Sequence, residues 1–294
     1  MKNLVLGFAT NQPPAAFATF VNSLRKVYTA DQCDVVLIVD SPPDGPALDA
    51  NYVSTRNVYP HRHVIARRSK SLFIRLASSA ASASKSLSSG PARAILDEAM
   101  ERWHHPHYAR WLAYRRFLRD HSEYEQILLT DVRDVLFQGE FFLPDVKSVQ
   151  LFEQDEFYGT GNCDSDWYQH AWGTDALNRI SSRPAICIGT ILGPRDQILM
   201  LIDDFIAYFS PAPFRGVEQA IFNRMLFDGD LRFDYVVNHN VEGLVATLSN
   251  LEAIDQIVSS AGLIRTAAGK IIPVVHMYDR VDALAPIASS YAHQ

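Results

Sequence analysis

Three short runs constrain this chain most. Residues 4–8 read Leu-Val-Leu-Gly-Phe, residues 35–39 read Val-Val-Leu-Ile-Val, and residues 127–129 read Ile-Leu-Leu. Runs this short and this rich in Leu, Ile and Val read as strands buried on both faces. Between the first two, Phe17, Phe20, Val21, Leu24 and Val27 fall at helical spacing over residues 15–28. Strand, helix and strand joined by short links predict a right-handed parallel unit. Each run closes on polar groups: Thr10 and Asn11 after the first, Asp40 after the second, Asp131 and Asp134 after the third. In open parallel sheets ligands bind at the carboxyl ends of the strands, so these groups are expected along one edge.

The rest of the chain supports an α/β fold with a mostly parallel central sheet flanked by helices. Residues 41–50 are rich in Pro, Asp and Gly and read as a loop, and residues 58–66 as a short third strand. Residues 67–92 begin basic and become Ala/Ser-rich, which suits either a solvated linker or a mobile lid. Helical patterning covers 92–119 and should break at Pro106. A strand is expected near 149–152, a polar and aromatic stretch over 153–184, and strand–turn–strand over 185–193. Helices are expected near 195–209 and 216–228, strands near 233–237 and 271–275, and a surface tail over 281–294.

Bulk properties exclude several classes. A net charge of −6 argues against a general nucleic-acid binder. No apolar run approaches the ~18 residues of a membrane span. The apolar start before Thr10 is too short for a secretory core. Cys33, Cys163 and Cys187 are odd in number and widely spaced, with no zinc or disulfide pattern, which suits a reducing cytoplasm.

Residues 126–138 place Asp131 and Asp134 between two apolar runs. Carboxylates in such a segment need compensation. Arg133, lying between them, would supply it as an ion network; a divalent cation carrying a phosphorylated substrate would supply it equally well. Positions i and i+3 of a strand face opposite sides. A shared ligand therefore requires the strand to end or bend at Thr130 and Asp131. Mg2+ and Mn2+ favour oxygen ligands, often carboxylates with substrate phosphate, and neutralise a leaving diphosphate. His276 follows another apolar run and is either a structural histidine or a nitrogen ligand to the same ion.

Four motifs occur in order: Asp131-Val-Arg-Asp-Val-Leu-Phe-Gln138, Gly189-Thr-Ile-Leu-Gly193, Glu218-Gln-Ala-Ile-Phe-Asn223 and His276-Met-Tyr-Asp-Arg280. In these the chain resembles sugar-nucleotide-dependent glycosyltransferases of the GT-A fold. Within them it resembles a group reading D-x-R-D-V-x-F-Q, G-T-x-x-G, an acidic residue before Gln, and H-x-Y-D-R. The likeness covers most of residues 3–280. It implies one GT-A-like, Rossmann-type domain over residues 1–280, and transfer of a sugar from a nucleoside diphosphate-sugar donor to an acceptor hydroxyl. It implies Mn2+ or Mg2+ on Asp131 and Asp134 with the donor diphosphate. His276 would be a late ligand, as in several retaining members, so retention at the anomeric carbon is the expected outcome. Ala9, Thr10 and Asn11 would receive the base, with Asp40 beside them. Gly189 and Gly193 would let the backbone approach donor or acceptor, and Glu218 and Gln219 would face the transferred sugar. Two departures stand: the spacing is D-x-x-D where D-x-D is common, and Glu218 stands where Asp is commoner.

Further candidates are weaker. Arg110 and Tyr114 lie on a predicted helix before the acidic strand, where Arg110 suits a diphosphate or a solvated helix face. Asp155, with Glu156, follows a predicted strand as either an acceptor-activating base or surface charge. Trp167 and Trp172 either stack on a sugar ring or staple a loop to the core. His104, His105 and His107 around Pro106 read as a surface turn. No P-loop, G-x-G-x-x-G, G-x-S-x-G or H-E-x-x-H occurs. Two rivals to transferase activity follow. A sugar-phosphate nucleotidyltransferase would carry a Gly-rich basic loop after the first strand, which residues 9–14 lack. A non-catalytic binding protein would use Asp131, Arg133 and Asp134 as a structural ion network.

Overall fold

A computed structural model describes residues 2–43, 48–58, 90–209, 218–229, 231–249, 257–259 and 261–292, with isolated positions between 72 and 83. The expected strand over 58–66 and the linker or lid over 67–92 lie almost wholly outside the described residues. The fold is α/β with a mostly parallel seven-stranded sheet, in the order β3-β2-β1-β4-β7-β6-β8. Its strands are β1 (Lys2–Phe8), β2 (Cys33–Val39), β3 (Asn51–Ser54), β4 (Tyr124–Thr130), β6 (Val149–Phe157), β7 (Pro184–Pro194) and β8 (Tyr235–Asn238). Strands β1, β2, β3 and β4 run parallel, β7 runs against β4 and β6, and β8 is parallel to β6. A smaller sheet holds β5 (Val135–Phe137), β10 (Val274–His276) and β9 (Val245–Thr247) in the order β5-β10-β9.

The period of two along the buried strands sorts the core into two faces. Leu4, Leu6, Val36 and Ile38 pack with helices α3 (Pro106–Asp120) and α6 (Arg195–Phe209). Val5, Val35, Leu37 and Leu128 face the other way, onto Phe17, Phe20 and Leu24 of α1 (Pro14–Arg25). Each of these large side chains contributes about 1.5–3 kcal/mol on burial. The break expected at Pro106 is present: α2 (Pro91–Trp103) ends, and α3 begins with that proline at its first turn. His105, just before it, is held extended as a pre-proline residue should be, and its ring accepts the His107 amide as a cap.

Four expectations are corrected. Residues 185–193 form no turn: β7 is one strand of 11 residues, whose register against β6 slips between Cys187 and Leu192. A glycine inside a strand marks a close approach as readily as a turn. Residues 153–184 are not an irregular stretch. They hold the end of β6 and helices α4 (Cys163–Trp172) and α5 (Thr174–Ile180). Asp155 and Glu156 accordingly lie within a strand. The C-terminal stretch carries helix α8 (Ala285–Ala292) docked on α1, with Thr19 and Asn22 donating to the Ala288 and Tyr291 carbonyls. Leu284, just before the helix, is buried in the cluster beside the second sheet.

Two strand endings position the site. Strand β4 stops at Thr130, the Asp131 amide donates one last bond to the Gly189 carbonyl at 2.8 Å, and the chain turns into β5 of the second sheet. Strand β10 pairs with β5 so that His276 stands opposite Val135. The junction of the two sheets thus brings His276 to the Asp131 turn.

Candidate metal centre

The bend required between Asp131 and Asp134 is present, and both carboxylates meet His276. Nε2 of His276 stands 3.7 Å from Asp131 Oδ2 and 3.8 Å from Asp134 Oδ1. These separations exceed a hydrogen bond. They are shorter than two Mg2+–oxygen bonds of about 2.1 Å end to end. Nε2 is buried and has no hydrogen-bond partner among the described residues. Asp131, Asp134 and His276 are one of two clusters of potential metal ligands among those residues.

Gly189 completes the cradle. A Cβ there would overlap the His276 ring, coming within 2.6 Å of Nε2 and 3.0 Å of Asp131 Oδ2. Only a residue without a side chain lets the imidazole lie against β7. Cys187, two residues earlier on the same strand, puts its sulfur 3.4 Å from His276 Nδ1. Sequence reasoning passed over Cys187, although its i, i+2 relation to Gly189 was visible.

Arg110 supplies the counter-charge. Its guanidinium donates to Asp131 Oδ1 at 2.7 Å and to Glu218 Oε1 at 2.9 Å. Glu218 sits almost wholly buried at the start of α7 (Glu218–Asp228). It also takes the Trp111 indole N–H and lies 3.0 Å from His107 Nδ1. His107 and Trp111 are thus members of this network that sequence reasoning missed, and the expected surface turn of histidines is corrected. His105 caps α3, and His104 is buried against Tyr108 and Phe209, its pKa held down to about 4 by that burial.

The electrostatics follow from burial and neighbours. Burial pushes the Asp131 carboxyl up, but the Arg110 charge and His276 outweigh it and hold it well below the usual carboxylate range. The Asp134 carboxyl is raised by burial and by the charges of Asp131 and Asp279, against the pull of His276. Burial disfavours a charged His276, yet Cys187, Asp131 and Asp134 raise it well above an ordinary histidine. The cluster therefore favours positive charge between its carboxylates.

Other expected site residues divide into three groups. Ala9, Thr10, Asn11 and Asp40 do lie at the carboxyl ends of β1 and β2, beside β4. The Asn11 amide donates to Asp40 at 2.8 Å, with Asn11 in the left-handed region at φ 56°. Tyr114 is buried beneath Arg110, and burial raises its hydroxyl pKa.

The third group is displaced. Arg133 does not compensate the acidic pair: it is solvent-exposed, and its nearest carboxylate is Asp279 at 3.9 Å. The side chain leaves the turn for solvent, and Arg110 from α3 takes its place. Gly193 faces the Val149 backbone and Ile198, so it serves the packing of β6 and α6 on β7. The Glu218 carboxylate is buried against Arg110, Trp111 and His107. Gln219 bridges Asp164 at 2.9 and 3.0 Å and accepts the Ile188 amide at 3.3 Å. Asp155 accepts from Asn240, which also holds the Thr247 backbone. Trp167 and Trp172 pack against the core between β6 and α7, which realises the stapling alternative.

Asp131, Asp134 and His276 offer two hard oxygens and one imidazole nitrogen, a set that suits a divalent cation. The orphaned Nε2 and the glycine cradle both fit an ion among them. Among the described residues no helix is long and apolar enough to cross a membrane. No family model matches the chain, and no curated protein matches its sequence.

Proposed function

We propose that the protein is a divalent-metal-dependent glycosyltransferase that moves a sugar from a nucleoside diphosphate donor to an acceptor hydroxyl. One observation carries the reading. Two carboxylates and an unpartnered imidazole nitrogen converge at the carboxyl edge of a mostly parallel sheet, where such sheets bind ligands. The resemblance in four ordered motifs supports the same reading. Mn2+ or Mg2+ bound by Asp131, Asp134 and His276 would neutralise the leaving diphosphate. Arg110 holds Asp131 ionised and oriented for that ion, and Glu218 holds Arg110. Thr10, Asn11 and Asp40, on the neighbouring strand ends, lie where the nucleoside would reach. Retention at the anomeric carbon is part of the proposal through His276. The three cysteines form no disulfide, which suits the cytoplasm as the compartment.

The Arg110–Asp131 pair also favours a second reading, in which the acidic cluster is a structural ion network of a binding protein. Calorimetric titration of UDP, GDP and TDP, with and without Mn2+, separates the two. Metal-dependent binding of one nucleotide is expected. Failure of all three with metal present would leave the structural reading standing. Asp134→Ala is expected to abolish metal-dependent binding with the fold intact, and unchanged affinity would remove Asp134 from the ligand set.

A further inference from the structure

We propose that Cys187 is a positioning residue of this centre: its sulfur accepts the Nδ1–H of His276 and leaves the Nε2 lone pair for the cation. The inference rests on the reading of Asp131, Asp134 and His276 as an ion-binding set. Cys187 is buried in β7, with its Sγ 3.4 Å from His276 Nδ1. The same sulfur accepts the Gly189 amide, also at 3.4 Å. Cys187 and Gly189, two residues apart on β7, both approach the same imidazole: the sulfur at Nδ1, and the glycine where a Cβ would meet the ring.

The ring is therefore held from three directions. The sulfur meets Nδ1, the side-chain-free Gly189 lets the ring against the strand, and Nε2 is left between two carboxylates. A neutral imidazole has one N–H and one lone pair, and a metal takes the lone pair. The partner of the other nitrogen decides which end that is. A carboxylate or carbonyl usually fills this position in metal sites. Here it is a thiol, a weaker acceptor but a soft and adaptable one. A buried apolar side chain at 187 would preserve packing and leave Nδ1 without an acceptor.

Mn2+ titration followed by calorimetry and pulsed EPR tests this in the wild type, Cys187→Ala and Cys187→Ser. The alanine variant is expected to bind Mn2+ roughly 10- to 100-fold more weakly. It should also lose the imidazole-nitrogen modulation that His276 imposes on the Mn2+ signal. The serine variant, which keeps an acceptor, should retain that modulation and most of the affinity. Cys187→Val, which fills the space without an acceptor, reads the same effect should the alanine variant not fold. Unchanged affinity and modulation in the alanine variant overturn the role. So does a serine variant as weak as alanine, because packing would then explain the loss. A wild-type protein that binds no Mn2+ overturns the centre itself, and this role with it.

Discussion

Helix α3 serves two charge networks, and they are built differently. At its C-terminal half Arg115, Arg116 and Arg119 join Arg93 against Asp97, Asp203 and Glu101. Guanidinium groups there outnumber carboxylates, and every carboxylate has a partner within hydrogen-bond reach. At the N-terminal half Arg110 alone faces Glu218 and Asp131, with Asp134 close behind. Histidines make up the balance, and one ring nitrogen is left with no partner among the described residues. The first network is closed in that a guanidinium answers each of its carboxylates. The second is short of positive charge at a sheet edge, which is the condition for binding a cation.

The comparison breaks most readily at Arg110. Arg110→Ala leaves Glu218 buried without its guanidinium and frees Asp131. Removing one partner of a buried pair costs about 3–5 kcal/mol, to be read from urea unfolding without added metal. A loss below about 1 kcal/mol would place this network with the surface pairs.

Buried groups with no opposite charge should show in the pH dependence. Burial holds His104 at about 4, against its usual 6.5. Its unfolded form binds the extra proton, so its contribution to stability rises with pH between about 4 and 6.5. Burial pushes Asp164 up to about 6 from 3.8, even though Gln219 and Gln154 donate to it. Its folded form binds the extra proton, so its contribution falls as pH rises from about 3.8 to 6. Each amounts to about 3 kcal/mol, and the two nearly cancel. Urea midpoints across this range should therefore rise with pH in Asp164→Asn and fall with pH in His104→Gln. Parallel profiles for the two variants would contradict the assignment.

Gly189→Ala sharpens the view of the centre. The added methyl must displace the His276 ring, at about 1–3 kcal/mol of stability and with weakened Mn2+ binding. Gly193→Ala presses on the Val149 backbone at 3.1 Å, so it should cost stability while Mn2+ binding is unchanged. Equal Mn2+ affinities in the two variants would sever Gly189 from the site. The smallest effect is expected at Arg119→Ala in the closed network. Its side chain is half-exposed beside Asp203, and the thermal midpoint should register about 0–1 kcal/mol.

Much of the fold was legible because it rests on local pattern. Apolar runs ending on Asn11, Asp40 and Asp131 placed those residues on one edge, since parallel strands share a direction. Spacing around Pro106 gave two helices, since a proline cannot continue the first. Strand β3 and helices α4 and α5 were not legible, because their residues are too polar to show a burial period. Within the site, Asp131, Asp134 and His276 were found because polar groups after apolar runs are conspicuous. Arg133 was misread because adjacency in sequence says nothing of where a long side chain points. The partners of Glu218 were not legible, because its motif cannot show that Arg110 and Trp111 hold it.

What the sequence alone determined is the set of strand ends and the chemistry each carries, because strand period and side-chain type are local. What tertiary structure decided is which of those ends meet. A second small sheet crosses β5 with β10 and carries His276 about 140 residues back to Asp131. The partners of His276 follow from that crossing: Cys187 on one nitrogen, two carboxylates near the other, and a glycine where any side chain would block the ring.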